Sequence, residues 1–265
     1  MCGRFTQLYS CPEILAFYRI VGDICPDLAA SWNVAPTNQA VVIAGGCGGL
    51  ALTRMAFGLI PSWAKDPAIG SKLINARAET LSEKAAFRHA LQTRRCVIPV
   101  SGFYEWGRIE TGTRKSRSAP EAPERATVAS GQAPQRCGRQ PYYIASVGGA
   151  HLSLAGLWEQ WNDRLTFAII TVPANPLLAT IHERMPAILS AEDARAWIET
   201  GDAALLKPYP RDDLSMWPVS RRVNAPDNND SSLVEAAFAE PPPEPRDSAR
   251  NNGEKPESPQ FSFPF

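Results

Sequence analysis

Short apolar runs rich in Val, Ile, Leu and aromatic residues recur along the chain and predict most of its strands. Helical spacing is rarer: it fits Pro12 to Val21 and Ala191 to Glu199, and Ser190 is placed to cap the second helix. Because the strands cluster and do not alternate with helices, the pattern predicts an α+β fold and not a doubly wound sheet. The predicted strands lie at Ala40 to Ile43, Leu50 to Phe57, Cys96 to Trp106, Tyr142 to Val147, Leu152 to Trp158 and Leu165 to Val172.

Two stretches carry too few apolar side chains to join a packed core. Glu110 to Gln140 contains no aromatic residue and a single Val, Ile or Leu, so burial cannot offset its ordering entropy. It lies between two predicted strands, which indicates a disordered insert in an expanded hairpin and not a domain boundary. Ala236 to Phe265 holds seven prolines and is predicted to be a disordered tail. We therefore expect one domain, from residue 2 to residue 235.

The charge balance excludes one class of nucleic-acid-binding protein. The 265 residues include 27 Lys and Arg and 27 Asp and Glu, which excludes a binder that relies on bulk positive charge. Residues 1–108 hold eleven basic and seven acidic side chains, so an anion-binding face is expected mainly in the first half. The sequence shows no basic-then-apolar leader and no charge-free run able to cross a bilayer, so we expect a cytoplasmic protein without a membrane partner.

The cysteine spacing points away from a metal site. The six cysteines form no C-x-x-C pair and no zinc-ligand pattern, so we expect no bound metal and mostly reduced thiols. Cys2 is the exception, because removal of Met1 would leave an amine of pKa about 7.7–8.0 beside a thiol of pKa about 8.5. An amine condenses with an aldehyde to a Schiff base, and the neighbouring thiol can close that imine into a five-membered thiazolidine. From this position alone, a cysteine that merely packs stays an open alternative.

Three further segments carry groups that can move protons or bind anions. Asn75 to Thr80 places an amide, a guanidinium and a carboxylate on alternate positions, which share one face of an extended chain. Glu105 lies among aromatic residues on the same face as Phe103, where a partly desolvated carboxyl can act as a proton shuttle. His182 can exchange protons near neutral pH. Each segment also has a structural interpretation: a solvated strand edge, a carboxylate at a solvated rim, and a histidine within an ion-pair network.

Six short motifs occur in a fixed order, and together they resemble the SOS response-associated peptidase (SRAP) family. The likeness runs from Cys2 to about Asn224 and leaves out the insert at Glu110 to Gln140. Six ordered motifs are far more specific than any one of them. The motifs are Met1-Cys2-Gly3-Arg4-Phe5, Trp32-Asn33-Val34-Ala35-Pro36-Thr37, Gly58-Leu59-Ile60-Pro61-Ser62-Trp63, Asn75-Ala76-Arg77-Ala78-Glu79-Thr80, Gly102-Phe103-Tyr104-Glu105-Trp106 and His182-Glu183-Arg184-Met185-Pro186.

The resemblance implies a reaction and a fold. Members of this family recognise abasic sites in single-stranded DNA and link to them covalently through the mature N-terminal cysteine, which here is Cys2. By the same match Asn75 orients the sugar or the thiazolidine, Glu105 handles protons during imine formation, and His182 assists sugar ring opening and reversal of the link. The implied fold is a single compact SRAP-like domain, mainly of antiparallel strands in a curved or barrel-like sheet with a few short helices.

The resemblance also implies a DNA-binding surface. A neutral protein can bind single strands when arginines line one groove and aromatic side chains stack on bases. The expected partner is single-stranded DNA with abasic sites, bound by a monomer that uses no cofactor and joins the nucleoid on damaged DNA. The matched residues are Arg4, Arg77 and Arg184 for phosphates, Trp63 with Pro36 as a wedge against neighbouring bases, and Thr171 for a hydroxyl near the DNA.

Two other functions stay open from the sequence. The family label says peptidase, and Cys2 with Glu105 and His182 also suits autoproteolytic removal of Met1 or amide hydrolysis by an N-terminal nucleophile. A hydrolase that acts on other proteins needs a peptide groove and an oxyanion hole, and the sequence identifies neither. The remaining alternative is a noncovalent single-strand binder that uses arginines and a tryptophan without any chemistry.

Overall fold

The computed structural model describes residues 2–21, 25–27, 29–46, 49–108 and 138–237, which form thirteen strands and three α-helices. The strands are β1 Arg4–Gln7, β2 Ser31–Val34, β3 Gln39–Gly46, β4 Gly49–Phe57, β5 Asn75–Arg77, β6 Arg95–Val100, β7 Gly102–Arg108, β8 Arg139–Ser146, β9 Leu152–Trp161, β10 Arg164–Pro173, β11 Arg184–Pro186, β12 Ile188–Leu189 and β13 Leu214–Pro218. The helices are α1 Cys11–Phe17, α2 Arg88–Thr93 and α3 Ala191–Thr200.

A closed ring of five strands forms the centre of the fold. The order is β10-β4-β3-β6-β9, and β9 pairs again with β10, so the sheet closes on itself. The β4–β10 pair is parallel, whereas the other pairs of the ring are antiparallel. Closure removes the unpaired edges of this sheet, and the large apolar side chains of its strands fill the interior. The predicted α+β fold with a curved, barrel-like, mainly antiparallel sheet is confirmed.

A second, antiparallel sheet packs beside the barrel in the order β13-β8-β7-β1-β2. Strand β1 lies between β7 and β2, and its pairing sets Arg4 opposite Tyr104. Along β7 the side chains alternate as the sequence predicts: Phe103 joins the main core, whereas Tyr104 and Trp106 join a separate apolar cluster. Glu105 therefore faces the barrel side of this sheet.

The run predicted as one strand from Cys96 to Trp106 is two strands in different sheets, so that prediction was wrong in extent. The break falls at Ser101, whose backbone N–H donates to the Thr6 carbonyl at 2.9 Å. Its side-chain hydroxyl accepts from the Leu8 backbone N–H at 3.0 Å. These hydrogen bonds turn the chain from β6 of the barrel into β7, which carries Glu105.

The two predicted helices are present, and the first is shorter than predicted. Helix α1 ends at Phe17 because Arg19 adopts a left-handed conformation with φ of 51°. The Arg19 N–H then bonds Ala16 and the Ile20 N–H bonds Leu15, as in a Schellman motif. Helix α3 begins as predicted, since the Ser190 hydroxyl accepts from the Asp193 N–H at 3.0 Å.

The predicted insert falls between two strands of one hairpin. Strands β7 and β8 pair from Gly102 opposite Ala145 to Arg108 opposite Arg139. Gln140, which was assigned to the insert, is buried in β8. Arg139 was also assigned to the insert and begins β8, so the predicted insert extends too far at its end. Residues 110–137 of the predicted insert and residues 238–265 of the predicted tail lie outside the described residues.

One expectation about the cysteines was wrong. Cys11 and Cys25 form a disulfide that ties α1 to the segment before β2, although neither spacing nor composition singled out this pair. Cys2 and Cys96 are free and buried. None of the helices in the described ranges is both long and apolar enough to cross a bilayer.

Candidate active site

Cys2 lies in the protein interior, immediately before β1. The residue is fully buried, and its thiol faces the Arg4 carbonyl oxygen at 3.8 Å. The Cys2 carbonyl oxygen accepts a hydrogen bond from Asn75 Nδ2 at 3.0 Å. The other amide atom, Asn75 Oδ1, is buried without a hydrogen-bond partner among the described residues. Asn75 therefore fixes the backbone of Cys2 and keeps one acceptor for a further donor.

Strand β5 brings Asn75 to this position. It runs parallel to β10, with Asn75 opposite Ile169 and Arg77 opposite Thr171. The chain reaches β5 through a tight crossing at Gly58, where φ is +120° and a Cβ atom would lie 2.6 Å from the Gly70 carbonyl oxygen. Glycine at position 58 thus permits both the backbone conformation and the close approach of the two segments.

Glu105 supplies a buried carboxylate near Cys2. Its Oε1 accepts from the Trp106 backbone N–H at 3.1 Å, and the residue is 3 % exposed. Burial raises the pKa of the Cys2 thiol to about 12, and the negative charge of Glu105 contributes to this rise. Cys2 is therefore a protonated thiol at neutral pH in this structure, with a carboxylate close enough to act on it electrostatically.

His182 lies in the loop before β11, partly exposed. His182 Nδ1 lies 3.0 Å from the Arg184 backbone nitrogen and 3.2 Å from the Arg184 carbonyl oxygen, so this ring nitrogen faces the main chain of Arg184. The neighbouring Ile181 packs against β7 at Gly107, where a Cβ atom would lie 2.9 Å from Ile181 Cγ2. The absence of a side chain at Gly107 lets this loop approach the strand that carries Glu105.

Arg184 is held by other protein groups. Its guanidinium makes a two-pronged ion pair with Glu79, with distances of 3.0 and 2.9 Å, while Nε donates to Thr171 Oγ1 at 3.2 Å and Nη2 to the Thr171 carbonyl at 2.6 Å. These bonds to described residues use four of the five guanidinium N–H donors. The pKa of Glu79 is lowered by its hydrogen bond to Arg184. Arg184 therefore has little free capacity for a phosphate.

Arg4 and Arg77 differ in how many of their guanidinium N–H groups are already bound to the protein. Arg4 donates to Asn33 Oδ1 at 2.9 Å, to the Val223 carbonyl at 2.7 Å and to the Asn224 carbonyl at 3.3 Å. Partial burial lowers the pKa of Arg4. Arg77 is exposed, and its guanidinium forms no hydrogen bond or ion pair with any described residue. Arg77 is thus the predicted phosphate contact most open to a ligand.

The predicted wedge residues lie in loops at the ends of barrel strands. The Trp63 side chain is 59 % exposed, which is unusual for a residue of this size. Its loop is anchored by the Ile60 N–H, which donates to Thr166 Oγ1 at 2.9 Å, and by the Trp161 indole N–H, which donates to the Ala64 carbonyl at 2.7 Å. Pro36 is partly buried in the turn between β2 and β3.

The structure adds two residues whose roles the sequence did not predict. Glu79 pairs with Arg184, and Asn33 binds Arg4 and the carbonyls of the 223–228 segment. Both lie inside quoted motifs, which was the available signal, but their partners are about 105 and 190 residues away along the chain. Within the described ranges, no group of three or more His, Cys, Asp and Glu residues could hold a metal ion.

Cys2, Asn75 and Glu105 all lie in the part of the chain that matches a known family. The model of the family described as SOS response associated peptidase (SRAP) matches residues 1–226. The chain belongs to the SRAP family. The resemblance drawn from the six motifs is therefore confirmed at the level of the family.

Related proteins extend this assignment. The abasic site processing protein YoqW of Bacillus subtilis is 36 % identical over 252 residues, covering 89 % of this chain and all of that protein. The Escherichia coli protein YedK, which carries the same description, is 28 % identical over 246 residues, covering 89 % of this chain and 99 % of the other. A crystal structure of a Bacteroides thetaiotaomicron protein superimposes with a TM-score of 0.70 at 24 % identity, over 89 % of this chain and all of that one, and so shares the fold.

Proposed function

We propose that this protein captures abasic sites in single-stranded DNA and links to them through a thiazolidine on Cys2 after removal of Met1. The observation that carries the proposal is the position of Cys2: its backbone is held by Asn75 and its thiol lies near the Glu105 carboxylate. The names of the related SRAP proteins support abasic sites as the lesion.

The first step joins the amine to the sugar. An abasic deoxyribose is mainly a closed hemiacetal, and only its open form offers an aldehyde. His182 in its imidazolium form can donate a proton to the ring oxygen as the sugar opens. The free α-amine of Cys2 then attacks the aldehyde carbon, water leaves, and a Schiff base forms. Asn75 Oδ1 provides the acceptor for a sugar hydroxyl or for the amine N–H during this step.

The second step closes the ring. The Schiff base reacts in its protonated form, an iminium that carries one hydrogen on nitrogen. The Cys2 sulfur adds to the iminium carbon, so one C–S bond forms, the C=N double bond becomes single, and the nitrogen keeps its hydrogen in the neutral thiazolidine. The thiol proton moves to the Glu105 carboxylate. This proton acceptor is needed because burial keeps the thiol protonated at neutral pH. Reversal requires Glu105 to return that proton to sulfur. A closed ring also protects the sugar from β-elimination, which a transient Schiff base promotes.

The protonated thiol separates this function from a thiol peptidase. A cysteine peptidase attacks its substrate as a thiolate of lowered pKa, whereas the pKa of Cys2 is raised to about 12. Attack by the amine needs no thiolate in the first step. The raised pKa of Cys2, in the chain that still carries Met1, is thus opposite to that of a peptidase thiolate, and we propose removal of Met1 as a processing step that precedes the reaction.

A denaturing gel tests the proposal. The purified protein is incubated with uracil-containing single-stranded DNA that a uracil glycosylase has converted to an abasic strand. We expect a heat-stable shifted band that is lost in Cys2→Ala, while intact-mass measurement shows the loss of Met1. Glu105→Gln is expected to slow band formation and to leave affinity on native gels nearly unchanged.

Three outcomes oppose the proposal. A shift seen on native gels alone would indicate a noncovalent binder. Cleavage of a peptide panel by the wild type and not by Cys2→Ala, without any DNA product, would indicate a peptidase. A stable band from protein that retains Met1 would exclude the aminothiol mechanism.

A further inference from the structure

A cavity of about 390 Å³ lies beside the exposed ring of Trp63, apart from Cys2 and the residues around it. It is bounded by the Trp63 loop on one side and by the segment at the start of α2 on the other. Its volume is at the lower end of the range for small-molecule pockets. The lining residues that bear on its chemistry are Trp63, Ala85, Ala86, Arg88, His89 and Glu159.

A buried carboxylate, that of Glu159, provides a hydrogen-bond acceptor at the wall of this cavity. Glu159 is 3 % exposed, and its Oε1 pairs with Arg94 and accepts from the Gln160 backbone N–H at 2.9 Å. Its Oε2 has a longer contact, 3.9 Å, to His89 Nδ1. One carboxylate oxygen is thus satisfied by Arg94, while the other keeps acceptor capacity for a ligand N–H group.

The cavity is connected to the reaction centre through the barrel. Glu159 pairs with Thr166 of β10, and Asn75 pairs with Ile169 of the same strand. Three residues along β10, about 10 Å, and two strand spacings across the sheet, also about 10 Å, separate the two positions, because β5 and β9 flank β10. The two sites are thus about 14 Å apart, a distance that a few nucleotides of an extended strand can span.

We propose that this cavity binds one unstacked nucleobase of the same DNA strand and prefers a base with an exocyclic amino group. The indole of Trp63 provides a surface on which any base can stack. Glu159 Oε2 accepts a hydrogen bond from an amino group such as cytosine N4, whereas the O4 carbonyl of thymine would face the carboxylate and be repelled. Arg94 neutralises the charge of Glu159, and Arg88 at the wall of the cavity adds a positive charge for a phosphate of the same strand. This inference rests on the proposed function, because it takes the ligand to be the damaged strand.

A base scan tests the inference independently of the covalent chemistry. The ligands are thymidine oligonucleotides with one tetrahydrofuran residue, which has no aldehyde, and single thymines replaced in turn by cytosine. We expect about tenfold tighter binding for cytosine at one fixed position, the effect of one hydrogen bond to a buried charge. Uracil at that position, which differs from cytosine mainly at carbon 4, is expected to bind like thymine. Equal affinities at every position would overturn the inference.

Three variants test whether the cytosine preference arises in this cavity. Ala86→Leu fills the cavity and is expected to abolish the cytosine preference, and Glu159→Gln is expected to weaken it. Ala203→Leu, on an exposed turn away from the cavity, is the matched control and should keep the preference. A folded Ala86→Leu protein that still prefers cytosine would overturn the inference. If cytosine is preferred but natural abasic DNA is not crosslinked, only the proposed function fails; if crosslinking occurs without any base preference, only this inference fails.

Discussion

Asn75 holds Cys2 by its main chain, since the amide Nδ2 donates to the Cys2 carbonyl oxygen at 3.0 Å. The contact joins the first residues of the chain to β5, and through β5 to β10 of the barrel. The position of Cys2 is thus set through β5, which pairs with strand β10 of the ring, although Cys2 itself precedes the first strand. Terminal residues are otherwise among the least ordered parts of a domain.

The first prediction concerns this contact. Asn75→Asp keeps the size of the side chain and replaces the donor by a carboxylate, which faces the Cys2 carbonyl without a hydrogen bond. We expect the crosslinking rate to fall about tenfold or more, with a small loss of stability, because a misplaced nucleophile loses its orientation. Single-turnover crosslinking measures the rate. Gln92→Glu, the same change at an exposed site, should leave it unchanged; an equal loss there would contradict the prediction.

The second prediction separates two arginines of the proposed DNA surface. Arg77→Ala should weaken binding to single-stranded DNA and reduce the slope of log affinity against log salt by about 0.7, since one phosphate contact is lost. Arg184→Ala should lower the unfolding temperature and leave the slope nearly unchanged, because its guanidinium already binds Glu79 and Thr171. Arg195→Ala, on the surface of α3, serves as the control. A larger slope change for Arg184→Ala than for Arg77→Ala would contradict this assignment.

The third prediction is a pH dependence at Cys2. The pKa of the thiol is about 12 in the folded chain, above the value of about 8.5 expected when unfolded. Its contribution to stability is therefore complete below about pH 8.5 and is lost as the pH rises toward 12. Iodoacetamide reacts with thiolates, so alkylation of Cys2 at pH 8 should be at least about tenfold slower in the folded chain than in urea. Mass spectrometry of the N-terminal peptide measures both rates, and rapid alkylation of the folded chain would favour a thiol peptidase.

The fourth prediction concerns the loop that carries His182. Gly107→Ala would bring a methyl group to 2.9 Å from Ile181 Cγ2, so the loop must move away from β7. We expect slower crosslinking and a loss of stability of about 1–3 kcal/mol from overpacking. Combining Gly107→Ala with Ile181→Ala should recover part of the rate lost in the Gly107 single variant. A double-mutant cycle measures the coupling, and purely additive effects would show that this contact does not position His182.

The fifth prediction concerns the disulfide between Cys11 and Cys25. It closes a loop with a sequence separation of 14, which corresponds to about 3 kcal/mol in the chain-entropy description. Reduction should lower the unfolding temperature by several degrees without abolishing crosslinking, because the bond lies away from Asn75 and Glu105. Cys11→Ala should unfold at the same temperature with and without reductant. Identical unfolding of the oxidised and reduced wild type would contradict a stabilising bond.

The sequence predicted the parts of the fold that rest on long apolar runs. The four longest barrel strands each contain a predicted run. Strands β3, β9 and β10 are buried on both faces over most of their length, which needs many consecutive apolar residues, whereas β4 has exposed and partly exposed positions between its buried ones. Short strands such as Arg4–Gln7 and Asn75–Arg77 were not predicted. Three or four residues with polar members give no readable alternation, and their extended form depends on pairing with β7 and β10.

For the candidate site, the sequence predicted the residues but not all of their bonding partners. Cys2, Asn75 and Glu105 were singled out by chemistry and motif order, and the structure brings them together. The engagement of Arg184 by Glu79 could not be read from the sequence, since a charged residue in a motif does not reveal its partner across 105 positions. The Cys11–Cys25 bond was missed for a similar reason: a spacing of 14 residues is not a signature, and compartment arguments favoured reduced thiols.

The hydrogen bonds from Arg4 to the carbonyls of Val223 and Asn224 span 219 and 220 positions. During translation the ribosome therefore exposes Cys2 long before the partners of its strand have been made. A nascent chain of two hundred residues therefore contains Asn75 and Glu105 but lacks two of the hydrogen-bond partners of Arg4, two residues from Cys2. The anchoring of the first strand is complete only when the last part of the domain has left the ribosome.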